Sequence, residues 1–221
     1  QDQPALLTRS DVKTFFHEFG HALHAILGAT QMASFSGTNV KSDFVEMPSQ
    51  MLEEWLYDPV ILKKVSKHYK TGAQIPDDQI ASIIALKNYN SGNFVQGQAF
   101  YALISLDVHG DYRGKSPKEI YDQLYRTYRS HITYMPEDAM YASFGHLTGY
   151  AAKYYGYLWS KVFALDLFDT IKQHGLLDPA IGKRYVTTVL APGGSVDPNQ
   201  LLQNFLGRSP SDRPFLKDLG L

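Results

Sequence analysis

Apolar positions along the chain fall mostly at helical intervals. Val12, Phe15, Phe16, Phe19, Ala22, Leu23, Ile26 and Leu27 share one face and predict a first helix of about five turns, with Ser10 as N-cap and Gly28 as stop. The stretch MASFSGTNV that follows is short, mixed in polarity and rich in small residues, and predicts a strand or a turn. From Ser42 onward, Phe44, Met47, Met51, Leu52 and Trp55 return to helical spacing, with Pro48 in an early turn or at a kink. Pro59 and Gly72 bracket a third helix, and Asp77 opens a fourth that fades near Asn90. Ser116, Pro117 and Glu119 spell a capped helix start, and the stripe Tyr121, Tyr125, Tyr128 on that helix reads as core packing. The chain is loop-like from Met135 to Gly149. A long helix is then predicted from Tyr150 to its closing Gly175, and a last one from Asp197 and Pro198 to Gly207. Alternation at strand period is scarce. The expected class is mainly α with minimal β structure, and no repeat, low-complexity run or linker divides residues 1–221, which read as a single domain.

Composition narrows the chemistry. A chain of 221 residues can bury a real core without staples. It contains no cysteine, so any metal must be held by imidazole and carboxylate, and no thiol can serve as nucleophile. The net charge of -1, from 21 basic and 22 acidic residues, gives no field that would draw nucleic acid or an anionic membrane. No apolar run approaches the ~18 residues of a membrane span, and the start QDQPALLTRSD lacks the order of a signal peptide. The chain begins at Gln1, close to a rich motif, and so reads as a piece of a longer polypeptide. The expectation is a soluble, monomeric protein of the cytosol, with the mitochondrion as the alternative compartment.

That motif is HEFGH at residues 17–21. On a helix, His17 and His21 project from one face about one turn apart and can reach one ion, while Glu18 is directed at a water on that ion. Zinc suits such donors, and a catalytic zinc site keeps three protein ligands and leaves a position for water. The bland alternative is a surface helix with solvated histidines, but leaving these groups unpartnered among phenylalanines would be costly. His24, Asp43 and Glu46 compete for the third ligand position. His24 lies on the same face but ~10 Å along the axis from His17, which disfavours it. Glu46 heads the second helix and can approach from the opposite side, whereas Asp43 reads as an N-cap or as a group that orients a ligand. His68, His109, His131 and His174 have no partner at ligand spacing and read as solvated side chains or local caps.

The segments FFHEFGHALH, FSGTNVKSDFVEMPSQMLEEW, SKHYKTG and FGHLTGYAAKYYGYLWS resemble, in order, the thimet oligopeptidase family of zinc metallopeptidases. The resemblance covers most of the chain. It implies a zincin-type catalytic domain with one Zn2+ per chain, held by His17, His21 and Glu46, and Glu18 as general base. It also implies that His146, Tyr150, Tyr154 and Tyr157 lie on a mobile loop and the helix after it, with His146 and Tyr157 acting on the oxyanion and Tyr150 and Tyr154 contacting substrate. Phenol hydroxyls aimed at a developing oxyanion in a dry cleft stabilise it more than water would. The single glycine of HLTGY resembles the mitochondrial intermediate peptidase branch, while DFVEMPSQMLEEW resembles the thimet branch. Members of the family are much longer, and their upstream part forms the opposite wall of a deep channel that admits short peptides. The implied activity is hydrolysis of internal bonds in short peptides by an activated water, the partner being the missing N-terminal half of the same polypeptide. The rival readings are an inactive zinc-containing fragment that only binds peptides, and a metallohydrolase for non-peptide substrates.

Overall fold

The computed structural model describes residues 4–110 and 114–221, so Gln1, on which the reading of an upstream continuation rests, lies outside it. The described residues are mainly helical, and their only β pairing is an isolated antiparallel bridge between Lys67 and Gln74. They form two compact units. The first comprises the chain through Tyr89 together with Ser160–Leu221, and the second is Asn90–Trp159.

In the first unit, α1 (Arg9–Ile26) starts two residues earlier than Ser10 predicts. Thr8 is the N-cap: its hydroxyl accepts from the Asp11 amide at 3.2 Å, and the Asp11 carboxylate accepts from the Thr8 amide at 2.8 Å. An acidic residue at the third helical position closes that reciprocal box, which Ser10 could not have formed. Of the strand or turn expected after α1, the turn is the one that forms. Residues 32–39 close on themselves in consecutive turns, with the Ser36 amide on the Ala33 carbonyl and the Asn39 amide on the Ser36 carbonyl. Gly37 stands at φ 59°, where a side chain would meet Ala25 Cα at 2.8 Å, so the turn is pressed against α1 and offers no ladder edge.

The second predicted helix is also shorter than expected: α2 (Met47–Glu53) follows turns from residue 42, with Glu46 and not Asp43 in the N-cap position. Then come α3 (Pro59–Val65), capped by Asp58, and α4 (Asp77–Ala85). The second unit holds α5 (Ser91–His109), α6 (Pro117–Tyr128) and the single turns α7 (Met140–Ser143) and α8 (His146–Gly149). Helix α5 has no counterpart in the sequence reading, because its apolar residues surround the axis and leave no polar stripe to give a period. Phe100 and Ile104 of α5 pack with Ile120, Tyr121 and Leu124 of α6, so the tyrosine stripe is core at its buried end. The long helix predicted from Tyr150 is broken at its start. Ala151 sits at φ 50°, its carbonyl is taken by the Ser105 hydroxyl, and the continuous helix α9 (Gly156–His174) begins only at Gly156.

From Ser160 onward α9 belongs to the first unit, followed by α10 (Pro179–Tyr185), α11 (Pro198–Leu206) and α12 (Arg213–Asp218). The helix opened by Asp197 is therefore not the last. The core of this unit gathers Phe44, Met47 and Met51 with Phe163 and Leu167 of α9 and Leu201, Leu202 and Phe205 of α11. Each such side chain contributes about 1.5–3 kcal/mol through removal from water, and this packing fixes the segment that carries Glu46. His68, His109 and His174 each have a local partner, as expected of caps, His109 and His174 donating from Nδ1 to the carbonyl one turn back at 2.9 Å each; His131 instead meets Oδ1 of Asn93, on α5, at 3.0 Å.

His24 is fully buried on α1, and neither ring nitrogen has a protein partner among the described residues. Burial, with a smaller effect of His21, pushes its pKa down to about 4. A base with a depressed folded-state pKa leaves the unfolded chain to take the proton first, so stability falls as pH drops from about 6.5 to about 4. Replacing His24→Leu should shift the stability gap to wild type in the variant's favour by up to ~3 kcal/mol across that window. Urea unfolding at both ends of the window checks this; a gap independent of pH would count against it.

Candidate metal centre

His17 and His21 sit on successive turns of α1, with ring centroids 5.0 Å apart. The Nε2 atoms of both point at the same oxygen: Glu46 Oε2 is 3.2 Å from His17 and 3.1 Å from His21. One donor atom from each of these residues lies within 4.8 Å of the others. Donors at the corners of a tetrahedron with zinc–ligand bonds of roughly 2.0–2.2 Å stand about 3.4 Å apart, so these two separations fit a zinc ion. Glu46 is almost wholly buried, and Ser49 Oγ lies 2.8 Å from its carbonyl and 3.3 Å from its carboxylate oxygen.

The close meeting of α1 and α2 is set by Gly20, the small residue inside HEFGH. A Cβ there would fall 2.4 Å from Ser49 Cα and 2.9 Å from the Pro48 carbonyl oxygen. Only hydrogen fits at that crossing, and the crossing is what brings the start of α2 opposite the two imidazoles.

Glu53, two turns beyond Glu46, completes the arrangement. Its Oε1 accepts from His17 Nδ1 at 2.7 Å, so that in the neutral ring the lone pair is on Nε2, the atom nearest Glu46. Sequence reasoning assigned Glu53 no role. The signal was present in the spacing, since residues 46 and 53 share one face of a helix, but nothing in the pattern separates Glu53 from its neighbour Glu54. Burial favours the neutral acid at Glu53, yet the hydrogen bond from His17 and the charges of Lys161 and Lys13 outweigh it and hold the carboxyl below its ordinary range. Burial likewise disfavours the imidazolium of His17, but Glu46 and Glu53 outweigh it and push its pKa up to about 9. A metal takes imidazole only as the neutral base, so uptake at this site is tied to release of a proton. Glu18 is exposed on α1, next to His17.

The remaining predicted residues cluster in the second unit. His146 is exposed and its ring lies 5.7 Å from Tyr150, 5.2 Å from Tyr154 and 5.6 Å from Tyr157. Tyr150 and Tyr157 are half-buried, with centroids 5.2 Å apart. Tyr154 is buried, its hydroxyl donates to Gln98 Oε1 at 3.2 Å, and burial pushes its pKa up to about 12. The one-turn pieces on either side of Ala151 let all four rings meet, which a continuous helix from Tyr150 would not have allowed.

The sequence profile described as peptidase family M3 matches residues 1–221. The chain belongs to this family. It is 40% identical over 230 residues to saccharolysin of Saccharomyces cerevisiae, covering 100% of this chain and 32% of that protein. With oligopeptidase A of Escherichia coli it shares 34% identity over 225 residues, covering 99% and 33%. Mitochondrial intermediate peptidase of Mus musculus is 35% identical over 224 residues, covering 99% and 31%. The chain thus spans about a third of the length of these M3 relatives, and both branches named by the motif resemblance occur among proteins similar to it. No helix of the described residues is long and apolar enough to cross a membrane.

Gly20→Ala should force α1 and α2 apart and destabilise the protein by about 2–3 kcal/mol, as overpacking against a backbone does. Chemical denaturation read by circular dichroism measures this, and wild-type stability in the variant would show that the crossing can relax.

Proposed function

We propose that this chain carries the zinc site of an M3 oligopeptidase that hydrolyses internal bonds of short peptides. The observation that carries the reading is the convergence of His17 Nε2, His21 Nε2 and Glu46 Oε2 in a tetrahedral-edge geometry, with Glu53 orienting His17 from behind. In this reading His17, His21 and Glu46 hold the ion. When bound, zinc lowers the pKa of water toward neutrality and polarises the scissile carbonyl.

Glu18 takes a proton from the attacking water and later returns it to the leaving amine, so no covalent enzyme intermediate is needed. Its position supports this role: it is next to a proposed ligand but on the exposed side of α1, open to solvent and substrate. His146 and Tyr157 donate to the oxyanion as charge develops, and Tyr150 contacts the peptide. Tyr154, with its hydroxyl bound to Gln98, contributes its ring face and holds the other members of the cluster in place. Short peptides are the proposed substrates because relatives of about three times this length carry the name oligopeptidase. The rest of such a polypeptide is the proposed partner, supplying the wall that limits peptide length.

Glu18→Gln should retain about one zinc per chain and lose about 10²–10⁴-fold in turnover, the usual share of a general base. Metal analysis of the full-length protein, together with cleavage of an internally quenched peptide before and after chelation, checks both halves. Full activity of the variant would overturn the base assignment. A wild-type protein that holds zinc and only binds peptide would establish the non-catalytic rival.

A further inference from the structure

Glu53 belongs to a chain of alternating charges within the first unit that runs from Lys13 to Asp218. Its Oε2 lies 3.0 Å from Lys13 Nζ and 4.0 Å from Lys161 Nζ. Lys161 in turn donates to Glu54 Oε1 at 2.6 Å. The other oxygen of Glu54 accepts from Lys87 at 2.6 Å, and Lys87 also pairs with Asp218 of α12. Three carboxylates and three ammonium groups therefore balance around a pair of adjacent, almost fully buried glutamates.

The two oxygens of Glu53 have different neighbours. Oε1 faces the ring of His17, and only Oε2 faces lysines. A carboxylate at the end of a glutamate side chain turns readily about its last torsion. Cations on one oxygen therefore select which edge meets the histidine. Lys13, on α1 one turn before His17, pairs directly with Oε2 at 3.0 Å, while Lys161 of α9 adds its charge on the same oxygen from 4.0 Å, so the bias comes from two independent elements. Lys161 is itself pinned by Glu54, whose other oxygen is already occupied by Lys87 and cannot draw Lys161 away.

We infer that Lys13 and Lys161 are positioning residues for the metal: by holding Glu53 Oε2 they keep Oε1 on His17 Nδ1 and so aim His17 Nε2 at the ion. The inference rests on the zinc reading above. The groups that orient a ligand from behind typically change metal affinity by 10–100-fold when removed, and these lysines act one step further out.

The test is zinc affinity of the full-length protein, measured by competition with a chromophoric chelator, beside thermal unfolding. Lys13→Gln and Lys161→Met should each weaken zinc binding by about tenfold. Lys161→Arg should restore wild-type affinity, and in a Glu53→Gln background Lys13→Gln should cause no further loss. Lys87→Met, which breaks the same network but touches neither Glu53 nor His17, should lower the melting temperature and leave zinc affinity unchanged. Lys13 is about half exposed, with 48% of its side-chain surface accessible, so its variant decides the matter even where Lys161→Met does not fold. A wild-type protein that binds one zinc, with both lysine variants binding it equally tightly, overturns the inference and leaves the zinc reading standing. A Lys87→Met variant that loses as much affinity as Lys161→Met also overturns it, since the effect would then be general loosening. A wild-type protein that binds no zinc overturns the reading and the inference together.

Discussion

The near-contact of two helices at Gly20 is the constraint on which the site depends. A histidine pair on one helix is common chemistry; what makes it a candidate site here is a carboxylate delivered from another element to within hydrogen-bond distance of both rings. That delivery tolerates almost no slack. Glu46 stands at the N-cap of a short helix, its carboxylate braced by Ser49, and Ser49 is the residue whose Cα lies against Gly20. The same few atoms thus set the helix spacing and the direction of the ligand. The hydrophobic core beneath, built from Phe44, Met47 and Met51 with side chains of α9 and α11, keeps that short helix from sliding.

Around this crossing the molecule spends buried charge freely. Glu46, Glu53 and Glu54 are all nearly inaccessible, within nine residues of one another in sequence. An ion buried without a partner would cost several kcal/mol, so each must be matched. Glu46 is matched by imidazoles, Glu53 by an imidazole and lysines, and Glu54 by lysines alone. The gradient runs from groups that would share a metal to groups that serve only to balance charge.

Much of this was legible in the residues. The spacing of His17 and His21 follows from helical period, and the capping signals at Ser116 and Asp197 mark their helices correctly because a cap is a local interaction between residues close in sequence. Glu46 could be preferred because it heads the second helix and matches the third ligand of the family that the motifs resemble, whereas His24 lies too far along α1. What could not be read depends on partners far away in the chain. Helix α5 has apolar residues on all sides, so periodicity is silent there. The break at Ala151 is stabilised by Ser105, forty-six residues upstream, and no local signal foretells it. Glu53 and Glu54 look alike as letters; one faces α1 and the other α9, and only the packing tells them apart.

The balanced set of glutamates and lysines also constrains how such a sequence can drift. Loss of Lys161 or Lys87 removes a cation from a nearly inaccessible glutamate, whereas simultaneous loss of a cation and its carboxylate leaves a neutral and packable gap. Lys87 is tied in this way to two carboxylates at once, Glu54 close to the site and Asp218 of α12. Through that arithmetic of charge, the far end of the chain is bound to the inheritance of residues close to the histidines.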